Sequence, residues 1–86
     1  MKTLYLLMAR HDGQPILPPE IVCKDYFTHL TPEKFLRKIS DGTIPLPLAR
    51  MEKSQKSAKG IFITDLAEYL DERHKEALRE HLQLVG

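Results

Sequence analysis

At 86 residues the chain has room for one domain with a modest core, because a chain of this length buries only about 60% of the surface its unfolded form exposes. A single cysteine, Cys23, excludes an intramolecular disulfide and any CxxC-type zinc site, and it fits a reducing, cytoplasmic setting. The net charge of +1 hides a segregation: residues 31–60 carry seven basic groups against three acidic, and residues 61–86 carry three against six, so the middle of the chain suits a polyanion while the tail discourages indiscriminate sticking.

The apolar run after Met1 and Lys2 is too short for a secretory h-region or a membrane span, and Arg10, His11 and Asp12 follow it where a cleavage site would need small residues. It reads as the first core element, with no membrane partner. Residues 3–11 predict a short helix with Thr3 as its N-cap and Gly13 as its stop. The unbroken L-Y-L-L run also permits a strand, since periodicity does not decide so short a stretch.

Q-P-I-L-P-P then forces extended backbone, and Ile16 and Leu17 can dock as a small edge strand. Pro18-Pro19-Glu20 opens a helix to about residue 27, with Ile21, Val22, Tyr26 and Phe27 as its apolar face. After a short turn, Thr31-Pro32-Glu33 starts another: Thr31 as N-cap, Pro32 in the first turn, Glu33 favoured by the helix dipole. Phe35, Leu36 and Ile39 point inward, and Gly42 can take the left-handed cap. Ile44, Leu46 and Leu48 alternate with Pro45 and Pro47, an extended edge segment, since proline cannot donate into a central ladder. Residues 60–63 look like the returning strand of a hairpin tipped by S-Q-K-S-A-K. Thr64-Asp65 caps a last helix to about residue 84, with apolar positions near the helical period.

The expected fold is mainly α with a small β-hairpin: a winged helix-turn-helix, with the helix-turn-helix at 18–41, the wing hairpin at 44–63 and a long C-terminal helix at 64–84. The second helix of the pair carries Lys34, Arg37 and Lys38 at spacings of three and four, on the side away from its apolar residues. Such a helix fits the major groove of DNA, where Arg and Lys donate to guanine. The hairpin tip suits the neighbouring backbone. The candidate DNA contacts are therefore Thr31, Lys34, Arg37, Lys38, Arg50, Lys53, Ser54, Gln55, Lys56, Ser57 and Lys59. Taken alone, the helix reads more readily as an ordinary solvated surface helix; the helix and the basic loop in this order, within one basic segment, favour DNA.

D-Y-F-T-H-L-T-P-E-K-F-L-R-K (25–38), G-T-I-P-L-P-L-A-R-M-E-K-S-Q-K-S-A-K-G (42–60) and D-L-A-E-Y-L-D (65–71) closely resemble the pyocin activator protein family. The resemblance spans nearly the whole chain and is weakest beyond Asp71. It implies a bacterial transcriptional activator of phage-tail-like bacteriocin genes, switched on after DNA damage, with promoter DNA as partner and RNA polymerase as a further one. In architecture alone the layout is similar to the excisionase and MerR-type winged helix. An excisionase-like DNA-bending factor in recombination is the alternative, and a protein-binding adaptor a more distant one.

No carboxylate pair, nucleophile–base set or phosphate-binding glycine loop is present, so neither an enzyme nor a cofactor is expected. Cys23, among apolar neighbours, reads as structural. His74 and His81 lack the further ligands a metal site needs and read as contacts between helices. Tyr26 and Phe27 read as core. Ala77, Leu78, Leu82 and Val85 continue the apolar stripe of the last helix past the core, predicting a homodimer. The competing expectation is that residues 3–11 fold back and cover that stripe within one chain.

Overall fold

The computed structural model describes residues 2–54 and 57–85. In chain order these form α1 (Lys2–Arg10), β1 (Ile16–Leu17), α2 (Pro19–Tyr26), α3 (Pro32–Ser40), β2 (Ala49–Arg50), β3 (Lys59–Phe62) and α4 (Ile63–Val85). The fold is mainly helical, with a small antiparallel sheet in the order β1-β3-β2 and a long C-terminal helix.

The ambiguous first element is a helix. Leu4, Leu7 and His11 share one of its faces; Leu7 and His11 are buried and Leu4 packs on the core, while Tyr5 and Leu6 stay exposed. Thr3 is not an N-cap: it lies inside α1, and its hydroxyl donates to Asp71 Oδ1 at 2.5 Å, tying α1 to α4. Gly13, at φ +72°, ends the helix, with its N–H donating to the Met8 carbonyl at 2.7 Å.

α2 also differs from expectation. Ile21 is 38% exposed, and the buried residues of the helix are Pro19, Val22 and Cys23. The Cys23 thiol donates to the Leu30 carbonyl at 3.3 Å, and the Leu30 N–H donates to the Phe27 carbonyl at 3.0 Å, so the thiol helps close the turn between α2 and α3. Burial pushes this thiol up from its ordinary pKa, consistent with a structural cysteine. Tyr26 is half-buried, its hydroxyl 2.9 Å from Nε2 of buried His11.

The hairpin is shorter than the 44–63 span expected. Residues 45–48 carry no strand, although Ile44 and Leu46 are buried, because Pro45 and Pro47 have no N–H to give a ladder. Pairing begins at Ala49↔Gly60 and Arg50↔Lys59, and β1 joins the other edge of β3 through Ile16↔Phe62 and Leu17↔Ile61. The Ile63 N–H donates to the Pro15 carbonyl at 2.9 Å, prolonging that edge into the first residue of α4. α4 therefore starts at Ile63, ahead of the predicted cap at Thr64-Asp65, and runs to Val85.

The pleat gives the sheet two faces. Leu17, Ile61, Lys59 and Arg50 share the face toward the helices; Ile16, Phe62, Gly60 and Ala49 share the outer one. Gly60 is buried because Ile16 lies over it, and a Cβ at Gly60 would overlap Ile16 Cγ2. That atom sits on a β-branched carbon and has little freedom to move away. Gly60→Ala should destabilise the fold by about 1–3 kcal/mol, the usual cost of overpacking. Urea unfolding followed by circular dichroism checks this, and an unchanged midpoint would refute the packing described.

Candidate nucleic-acid interface

The helix carrying the candidate base readers is well anchored. Thr31 caps α3, its hydroxyl accepting from the Lys34 N–H at 3.3 Å, and Pro32 occupies the first turn. Phe35 is fully buried. Its ring lies 4.7 Å from that of Phe27, which in turn lies 5.6 Å from Tyr69 of α4. Three rings thus fix α3 against the end of α2 and against α4.

Around α3 the residues turn by about 100° each, so relative to Phe35 the Leu36 side chain lies on one flank, Lys34 and Lys38 on the other, and Arg37 almost opposite. Lys34 and Arg37 are exposed, whereas Lys38 is half-buried. Leu36, together with Pro18, Pro19 and Glu20 at the start of α2 and Ser57, Ala58 and Lys59 of the hairpin, lines an open cleft of about 510 Å³. The flank of α3 that looks toward the hairpin is therefore the Leu36 flank. Lys34 and Lys38 are turned from it, and Arg37 stands between. The three cations share one outer arc of α3, but only Arg37 is both fully outward and near the hairpin side.

At the C-terminus of α3, hydrogen bonds from Thr43 hold the Asp41 carboxyl below its ordinary value, with smaller help from Lys38 and Arg37. The Thr43 N–H bond measures 2.9 Å. A fixed carboxylate here lies beside two cations that themselves complement the helix dipole. These cations therefore have a structural use at the end of α3.

On the hairpin, Arg50 and Lys59 are direct cross-strand partners on the helix-facing side of the sheet, with Lys59 half-buried and lining the cleft. Like charges placed opposite one another cost stability. The arrangement becomes favourable when an anion lies between or beside them. In the loop beyond, Lys53 and Ser54 are exposed, while the half-buried Ser57 donates its hydroxyl to the Glu52 carbonyl at 3.0 Å and its N–H to the Ser54 carbonyl at 3.2 Å. The Ser57 hydroxyl hydrogen therefore serves the loop, and its oxygen remains able to accept. Gln55 and Lys56 lie outside the described residues.

Sequence reasoning missed the part played by Leu36 and by the start of α2. The only available signal was Pro18-Pro19, read simply as a helix start. Among the described residues no cluster of His, Cys, Asp and Glu could hold a metal ion, and no helix is long and apolar enough to cross a membrane.

α1 packs on α4 without covering its distal stripe: Leu78 is 48% exposed, Leu82 64% and Val85 68%, with Ala77 beside them at the edge of the stripe. The expectation that residues 3–11 fold back over this stripe does not hold.

A family model described as "Pyocin activator protein PrtN" matches residues 3–77. No curated protein and no solved structure matches the chain. Leu78, Leu82 and Val85 lie beyond the matched span.

Proposed function

The chain belongs to the pyocin activator protein family, and from that premise we propose that it is a sequence-specific, DNA-binding transcriptional activator of pyocin genes, acting in the bacterial cytoplasm as a homodimer through a winged helix-turn-helix domain spanning residues 1–86. The observation that carries the DNA-binding part is the cross-strand pair Arg50–Lys59, whose Lys59 lines the same cleft as Leu36 of α3. A cross-strand pair of cations, one of which lines a cleft beside an exposed, basic helix, offers a phosphate backbone a seat while the helix enters a groove.

In this reading α2 and α3 form the helix-turn-helix, and the 51–58 loop with its flanking strands is the wing. Arg37 is the foremost base reader, since its planar fork can bind guanine bidentately and it stands outermost on α3. Lys34, Lys38, Arg50, Lys53, Lys56 and Lys59 neutralise phosphates, and Thr31, Ser54, Gln55 and Ser57 add hydrogen bonds to the backbone.

The test is gel retardation on fragments from upstream of the pyocin genes and on random DNA, over a series of salt concentrations. The wild type should prefer the former. Arg37→Ala should cost about 1–3 kcal/mol on the cognate fragment and much less on random DNA. Equal losses on both would reduce Arg37 to a phosphate contact. Arg50→Ala with Lys59→Ala should weaken both kinds of DNA alike and flatten the log–log salt slope by about 0.9 for each phosphate no longer neutralised. A slope identical to the wild type would remove the hairpin pair from the interface, and no retardation by the wild type would sink the proposal.

A further inference from the structure

Away from the basic surface, α4 and the proline-rich segment after α3 enclose a second groove. Two adjoining depressions of about 290 and 370 Å³ share Pro45, Tyr69 and Glu72. Because Ile44 and Leu46 turn into the core, Pro45 and Pro47 stand outward and form one wall. α4 forms the other. Tyr69 contributes to both depressions, and its ring rests at 5.6 Å from Phe27. Asp65, Glu68, Glu72 and Glu76 follow one another along the α4 wall at spacings of three, four and four, and Arg73 is the one cation lining it among the described residues. Glu72 and Glu76 pair with Lys75 and Arg79, which do not line the groove, while Asp65 and Glu68 have no ion pair among the described residues.

We propose that this groove docks an extended, lysine- and arginine-bearing segment of a partner protein. Charge complementarity sets the sign, since a carboxylate-lined groove repels phosphate and attracts cations. The lining sets the shape. The carboxylates from Asp65 to Glu76 span about 16 Å of helix, the reach of an extended segment of about five residues. The aliphatic stems of its Lys and Arg side chains would lie on the two prolines, and a guanidinium would lie over the Tyr69 ring. The commitment to a partner protein rests on the proposed function: with the basic hairpin of each copy engaged on DNA, it is not free to enter the groove of another. The groove then gives an activator a second surface, of opposite charge, for the transcription machinery.

The experiment uses the full chain, a fluorescein-labelled nine-residue peptide alternating Lys and Pro, and a second with Arg for Lys. Fluorescence anisotropy at physiological salt compares the wild type, Glu68→Gln/Glu72→Gln, and a charge-matched control outside the groove, Asp12→Asn/Glu80→Gln. The groove variant should lose at least fivefold in affinity and the control less than twofold. Equal losses in both variants, or no binding by the wild type, would overturn the proposal. Retardation of pyocin-gene DNA is measured on the same preparations. Failure of the wild type there sinks the DNA-binding reading, while the peptide result still judges the groove. Sedimentation without DNA covers the remaining occupant: self-association that vanishes in the groove variant would assign the groove to a second copy and overturn the proposal.

Discussion

Phe35→Ala should lower the unfolding free energy by about 3–5 kcal/mol, the range for removing a fully buried phenyl ring. For a small domain, whose total stability is about 5–15 kcal/mol, this is a large share. The loss has two sources. The ring is wholly excluded from solvent, so its transfer free energy is forfeited entirely. It is also the α3 end of the ring series through Phe27 to Tyr69, so the cavity opens where three helices meet and cannot easily collapse. Phe35→Leu keeps most of the volume and should cost clearly less. Urea titration of the three proteins checks this: the midpoint should fall in the order wild type, Leu, Ala with an unchanged slope. A loss below about 1 kcal/mol for alanine would show that α3 is held by its cap and backbone and not by this ring.

The contrast between what the residues announced and what only the fold revealed follows from the range of each interaction. Thr31-Pro32 declared the start of α3 because cap chemistry is decided within four residues, and the Thr31–Lys34 bond is there. Gly42, at φ +82°, marks the end of the same helix for an equally local reason. The rotation of α3 about its axis was not legible. Whether Leu36 or Lys34 looks toward the hairpin depends on packing against α2 and β3, which spacing within one helix does not encode. The third strand was only half legible: an apolar Ile16-Leu17 between prolines suggested an edge, but its partner, β3, lies more than forty residues away. The exposure of Ile21, expected on the apolar face, has the same origin, whereas the burial of Cys23 was expected. α2 has only eight residues, too few for periodicity to fix its buried face, and the thiol found the Leu30 carbonyl.

Charge was legible as a segregation along the chain, and the fold turns it into a segregation in space. Among the described residues, the basic groups of the middle third lie on α3 and on the hairpin. The acidic residues of the last third align along α4 beside Pro45 and Pro47. Because α4 leaves the sheet directly at Ile63, no linker separates β3 of the hairpin from the helix that carries the acidic row.

Leu78→Glu with Leu82→Glu should convert a dimer into a monomer. α4 has 23 residues, about 34 Å of helix, yet its buried residues are Ile63, Leu66 and Ala67, all in its first two turns. Past them Leu78, Leu82 and Val85 are open to solvent, an apolar stripe suited to a partner. A second copy related by a two-fold axis is the simplest cover, since each stripe then buries the other. Both substitutions place a good helix former at exposed positions, so α4 itself should persist. Sedimentation equilibrium should find the wild type dimeric and the variant monomeric, with equal helix content by circular dichroism. On DNA the variant should keep the affinity of one half-site and lose about 10²–10⁴-fold on a paired site, because the second half-site would no longer be presented at high effective concentration. A monomeric wild type, or a variant that still associates, would refute the assignment. A dimeric wild type whose variant binds paired sites as tightly as before would show that the two copies read DNA independently.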